Sequence, residues 1–178
     1  MSKVRIPTIT QQELQERLIY NSETGKFFWR VSGKPAGYTD HRGYLSIRLA
    51  NDCLVLGHRI AWCYINGYWS VEDIDHINQD KSDNRISNLR EASRSQNLMN
   101  KSLHRNNKSG HKGVFYSEKQ NMYHAYITAY GTRTHLGSFK TKEEAVEIRN
   151  LAEELLFGEY RSLSSRHRDV NVQQREST

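Results

Sequence analysis

The chain has 178 residues, with 26 Lys and Arg against 20 Asp and Glu, a net charge of +6, and 36% apolar residues. That apolar share falls below the about 45–50% of an average globular domain, so several small units are expected in place of one large core. No apolar run approaches the about 18–20 residues that cross a bilayer, and no apolar signal core follows the first residues, which speaks against membrane and secreted classes. Cys53 and Cys63 are too few for a disulfide framework and lack the paired spacing of structural zinc; both read as small buried hydrophobes. A basic balance of this size points only weakly to a polyanion.

In chain order, Thr10 with Glu13 forms a capping box ahead of Leu14, Leu18 and Ile19, predicting a short helix over 11–19. Thr24-Gly25 then separates two stretches of strand character, the second holding Phe27-Phe28-Trp29. A loop between Gly37 and Gly43 leads into a half-buried strand in which Leu45, Ile47 and Leu49 alternate with Tyr44, Ser46 and Arg48, leaving Arg48 on the open face. Residues 20–57 thus read as a small antiparallel sheet. His58 opens a short helix that closes at Gly67.

Residues 73–97 carry the strongest chemical signal. Two strand-like pieces flank a loop of Asn, Asp, Lys and Ser, and Ser93 with Gln96 then starts a helix bearing Asn97. On such a strand, loop, strand and helix scaffold, Asp75 and Asn97 can face one metal ion, while His76 points to the other side of its strand. Asp73, two residues before Asp75 on the same strand face, is a rival ligand. One carboxylate and one amide oxygen form a sparse set that suits Mg²⁺, which keeps waters and takes its other ligands from phosphate. Phosphodiester hydrolysis needs such an ion to neutralise charge and a His near neutral pKa to take a proton from water.

These residues resemble the HNH endonucleases, specifically the zinc-free group common in phages and mobile introns. Asp75-His76, Asn88-Leu89-Arg90 and Asn97 match that pattern, and His58-Arg59 matches a His-Arg pair usual on a preceding helix. The resemblance implies that His76 is the general base, that Asp75 and Asn97 bind one Mg²⁺ or Mn²⁺ per active site, and that the Asn88 side chain ties the loop together through backbone hydrogen bonds. Many relatives have His where Asn97 stands, which speaks against a centre built on two imidazoles.

Between Glu91 and Glu118 there is no acid, while Arg94, Lys101, Arg105, Lys108 and Lys112 fall in that stretch. It reads as a basic connector that tracks phosphates. Beyond it, three aromatic and β-branched segments separated by turns predict a three-stranded antiparallel meander. A helix follows, with a Thr141/Glu144 capping box and an apolar stripe of Ala145, Ile148, Leu151, Ala152 and Leu155.

This second unit resembles the Apetala/ethylene-response-factor DNA-binding domain through Ser109-Gly110, Gly113-Val114, the run from Tyr123 to Ile127, Leu136-Gly137 with Phe139, and the stretch from Thr141 to Ala145. The resemblance implies a sheet lying in the DNA major groove. The plant domains present several Arg and Trp there, whereas Tyr116, Lys119, Tyr123, Tyr130, Arg133 and His135 are available here.

The sequence thus reads as an α+β protein: an N-terminal helix and antiparallel sheet (1–56), a ββα-metal HNH unit (57–101), a basic linker (102–108), a DNA-binding domain with a three-stranded sheet on one helix (109–160) and a disordered tail (161–178). The expected function is metal-dependent, HNH-type hydrolysis of double-stranded DNA, phage-encoded or homing, in the cytoplasm of a bacterial host, by a monomer or weak dimer with no membrane or small-molecule partner. The side chains expected to meet DNA are Arg48, Arg59, Arg90, Arg94, Lys101, Arg105, Lys108, Lys112, Lys119 and Arg133. The alternatives are a DNA-binding regulator with an inactive nuclease centre and an RNA-directed nuclease.

Overall fold

The Thr10 hydroxyl accepts from the Glu13 backbone N–H while the Glu13 carboxylate accepts from the Thr10 N–H, so the expected capping box starts helix α1 (Gln11–Arg17). The computed structural model describes residues 7–49, 53–100, 107 and 109–161. The helix stops at Arg17, short of the predicted residue 19, because Leu18 and Ile19 enter strand β1 (Leu18–Asn21) against β2 (Lys26–Trp29). Leu18 and Tyr20 are buried and Ile19 and Asn21 exposed, a period of two that these β-favouring side chains obey over the helical stripe.

Strands β3 (Tyr38–Thr39), β4 (Leu45–Arg48) and β5 (Leu54–Leu56) form a second antiparallel sheet in sequence order. Arg48 is exposed, but Ser46, expected beside it on the open face, is buried. Helix α2 (Gly57–Asn66) follows directly and ends where Gly67 turns left-handed at φ 84° and donates to the Cys63 carbonyl. Strands β6 (Asp73–His76) and β7 (Leu89–Ala92) pair antiparallel around a long loop whose last turn is a 3-10 turn at Ile86–Asn88. Helix α3 spans Arg94–Met99.

The chain divides into two compact units, Met1–Arg94 and Ser95–Thr178. One apolar core serves the first: Leu14, Leu18, Phe27, Ile47, Val55, Ile60, Ile74 and Leu89 all belong to it, so α1, α2 and six strands share it across residue 56.

In the second unit, β8 (Val114–Ser117), β9 (Met122–Ala129) and β10 (Thr132–Phe139) form an antiparallel sheet with β9 central, and α4 (Lys142–Phe157) lies on one face. Met99 of α3 packs into this unit with Ile127 and Phe157. The buried line of α4 is Ala145, Arg149, Glu153 and Phe157; of the predicted stripe, Ala145 is buried and Ala152 packs against the core, but its three large members are not part of that line. Leu151 is 50% and Leu155 85% exposed, and Ile148 also lies outside the core. Arg149 and Glu153 pair at 2.9 Å. With their charges matched, the two residues are buried where the leucines were expected.

Among the described residues no helix is long and apolar enough to cross a membrane. The expected tail lies outside the described residues beyond Arg161, as do Lys101, Arg105 and Lys108 of the expected connector.

Candidate active site

The β6–β7 ladder sets Asp75 opposite Arg90 and His76 opposite Leu89. Asp75 and His76 are both buried, and alternation along the strand turns them to opposite faces. On one face the Asp75 carboxylate accepts from Arg90 Nη2 at 2.9 Å and Nε at 3.1 Å. On the other, the His76 ring meets His58 of α2 edge to face at 4.9 Å between centroids and lies 6.0 Å from the Tyr44 ring.

His76 Nε2 lies 3.3 Å from Asn84 Oδ1. Burial pushes the His76 pKa below its ordinary value, against the opposing pull of Asn84 and of Asp75, Asp80 and Asp83. Its imidazole is therefore neutral at neutral pH, the state a proton acceptor requires. Burial takes the His58 pKa further down, to about 3, and its Nδ1 has no hydrogen-bond partner among the described residues. His58 is thus an uncharged wall for His76.

Asn88 ties the loop between the strands. Its Nδ2 donates to Asn78 Oδ1 at 2.9 Å and to the Asp83 carbonyl at 2.8 Å, while its Oδ1 accepts from the Asn78 backbone N–H at 3.0 Å. Asn78 Nδ2 donates in turn to Asp83 at 2.7 Å. The loop is held by side-chain amides, which use both donor and acceptor ends at once.

A profile of the family described as HNH endonuclease matches residues 55–99. An uncharacterised HNH endonuclease of Acanthamoeba polyphaga mimivirus is 38% identical over 135 residues, covering 74% of this chain and 68% of that protein. The chain belongs to the HNH endonuclease family. No solved structure matches it. The expected enzyme class is thereby met: the chain is a nuclease, a hydrolase of phosphodiester bonds.

HNH endonucleases generally use a divalent metal ion. In this HNH endonuclease, no three His, Cys, Asp or Glu side chains gather as a metal cluster among the described residues. A carboxylate and an amide oxygen, the donor types of the expected ligands Asp75 and Asn97, suit a hard cation that retains water, not a zinc site. Asp75 sits on β6 with its charge shared by Arg90, and Asn97 is half-buried on α3 within the second unit. Asp73 is half-buried on β6 opposite Ala92.

Several basic residues expected to meet DNA also hold protein. Besides Arg90, Arg59 donates Nη1 to the Glu72 carbonyl at 3.0 Å and Nη2 to the Ser70 carbonyl, fixing the segment that leads into β6. Lys112 donates to the Leu98 and Met99 carbonyls at 3.4 and 3.1 Å, at the end of α3. Arg48, Arg94, Lys119 and Arg133 are exposed. Tyr123 packs into the α4 side of the sheet, and Tyr116 tilts against it at 4.9 Å. The opposite face joins the expected Arg133 and His135 to two aromatic side chains that the sequence did not single out, Phe115 and Tyr126: Phe115 stacks on Tyr126 at 5.7 Å, Tyr126 meets His135 at 4.7 Å, and Arg133 lies 4.2 Å above the Tyr126 ring. Strand alternation relative to Val114 and Ala125 would have been the signal.

Sequence reasoning also left Tyr20, Tyr44 and Asn84 without a role. Asn84 is one of several Asn and Asp in its loop, and nothing in that composition sets it apart; only the fold turns it to His76.

Proposed function

We propose that this HNH endonuclease hydrolyses phosphodiester bonds in double-stranded DNA in a metal-dependent reaction, with His76 as the general base. The observation that carries this reading is a buried imidazole braced by Asn84, His58 and Tyr44 beside a buried carboxylate. His76 takes the proton of the attacking water, Asn88 keeps the loop closed around it, and Arg90 orients Asp75. Asp75 and Asn97 would hold the cation, Mg²⁺ or Mn²⁺, one per site, in a ββα-metal arrangement. When bound, that ion supplies charge neutralisation at the phosphate and at the leaving oxygen.

The second unit acts in this reading as the DNA reader, an Apetala/ethylene-response-factor-like module beyond the linker. Its exposed face of Phe115, Tyr126, His135 and Arg133 offers stacking and charge, and Arg48, Arg94 and Lys119 are exposed cations for phosphate. The mimivirus relative is viral; in this reading the enzyme is phage-borne or homing and works in the cytoplasm of a bacterial host as a monomer or weak dimer.

Supercoiled plasmid incubated with Mg²⁺ and either wild type or His76→Ala tests this. Nicked or linear product from wild type alone is expected. Equal cleavage by both removes His76 from the mechanism, and a mobility shift without cleavage by either favours a DNA-binding regulator. Stronger competition by RNA than by duplex DNA redirects the substrate assignment.

A further inference from the structure

The Asn84 side chain is 1% exposed and fixed at both ends. Its Nδ2 donates to the Ser82 carbonyl at 3.2 Å. A carbonyl only accepts, so this bond sets which way the amide faces and leaves Oδ1 toward His76 Nε2, 3.3 Å away. An amide oxygen also only accepts. The hydrogen between them must therefore sit on His76 Nε2, which puts the lone pair of the neutral ring on Nδ1.

We propose that Asn84 is a positioning residue of the nuclease, holding His76 as its Nε2–H tautomer so that Nδ1 receives the proton of the attacking water, and that the β1–β2 hairpin braces Asn84 in that task. The inference rests on the reading of His76 as general base and adds the residue that selects its tautomer.

The brace has three parts. The Tyr20 hydroxyl donates to the Asn84 carbonyl at 2.7 Å. The Ile86 backbone N–H donates to the Ser22 carbonyl at 3.3 Å, on the far side of Asn84. Gly25, at φ 70°, brings the hairpin turn so close that a Cβ there would stand 2.7 Å from the Asn84 carbonyl carbon and 2.6 Å from the Arg85 nitrogen. Tyr20 is itself held, stacked on Phe27 at 4.6 Å and edge-on to Tyr64 at 5.6 Å. Burial pushes its pKa up to about 12, so the phenol keeps the hydrogen it donates. The hairpin lies outside residues 55–99, where the family profile matches, so this support reaches the site from a preceding segment.

Long-range ¹H–¹⁵N correlation spectra of the full chain, with ¹⁵N-labelled histidine at pH 8, read the tautomer directly and need neither metal nor DNA. His76 is assigned by comparison with His76→Gln. A neutral Nε2–H ring with a slowly exchanging N–H proton is expected, and a proton on Nδ1 overturns the proposal. Asn84→Ala is expected to lose the slow exchange and to lower kcat on plasmid on the order of tenfold with KM unchanged, as one lost hydrogen bond to the base would give. Unchanged kcat in folded Asn84→Ala overturns it as well. Tyr20→Phe, which removes one oxygen and preserves ring packing, is expected to speed that N–H exchange and lower kcat by a few-fold; wild-type exchange and turnover in this variant remove the brace. If wild type shows the Nε2–H ring but cleaves no nucleic acid, the nuclease reading fails and, with no proton to direct, takes the positioning role with it; an Nδ1–H ring in an active enzyme sinks only the role of Asn84.

Discussion

Asp75 and Arg90 face one another directly across the β6–β7 ladder, and the guanidinium donates from Nη2 at 2.9 Å and from Nε at 3.1 Å to the same oxygen, Asp75 Oδ2. Their side chains are 8% and 13% exposed, so the pair is screened little by water. Arg90→Ala leaves a buried carboxylate without its guanidinium and is expected to cost about 3 kcal/mol in urea unfolding. The double replacement Asp75→Leu with Arg90→Leu is expected to recover most of that stability while abolishing cleavage. A cost under about 1 kcal/mol for Arg90→Ala would show that the pair is not a structural tie.

His58 ties stability to pH. Its folded pKa, about 3, lies below the ordinary 6.5 because of burial and, less, because of the neighbouring His76 and Arg59. Between these values the unfolded chain binds the proton and the folded chain does not. Stability is therefore complete above about pH 6.5 and falls as pH drops, by up to about 1.4 kcal/mol per unit until pH 3. His76, lowered in the same direction, adds to the effect. Thermal unfolding midpoints of wild type and His58→Phe between pH 7 and 5 should diverge in slope, the variant being the flatter. Parallel slopes would contradict the assignment.

Gly25 and Gly33 separate close approach from backbone conformation. Both have positive φ, 70° and 64°, but a Cβ on Gly25 meets the backbone of Asn84 and Arg85 while one on Gly33 meets nothing within 4 Å. Gly33→Ala is expected to cost about 1 kcal/mol, the left-handed penalty alone, and Gly25→Ala about 2–4 kcal/mol through the added overlap. Chemical denaturation of both variants checks the difference, and equal costs would mean that the hairpin turn is free to shift away from the loop.

On α4, Arg149→Ala strands the buried Glu153 carboxylate and is expected to cost about 3–5 kcal/mol. Leu155→Lys, at a position 85% exposed, should stay within about 0.5 kcal/mol of wild type. Reversal of that order in unfolding experiments would restore the leucine stripe as the packed face.

Local chemistry made much of this protein legible before any fold was known. Two capping boxes, the Gly67 stop and the turn residues around each strand act within a few residues of themselves, so α1, α2, α4 and the C-terminal meander stand near where the sequence places them. The Asp75-His76 pair on a strand and Asn88 before the next follow from the same short-range logic. The family, too, is legible in those residues.

The tertiary structure alone decided what each polar side chain does. Arg59 and Arg90 are cations in the sequence, and only loop placement and strand register turn one to the carbonyls of Ser70 and Glu72 and the other to Asp75. Ile19 left a helix because pairing with Phe28 and burial of its neighbours outweighed a local stripe. Arg149 and Glu153 displaced leucines from the α4 interface because a matched pair can be buried where either alone cannot. Asn84 acquired its place beside His76 from a hairpin earlier in the chain, through the hydroxyl of Tyr20, 64 residues before it. Hydrophobic period and turn chemistry are written in neighbouring residues, whereas the partner of a buried donor or charge is set by which distant segment the core brings against it.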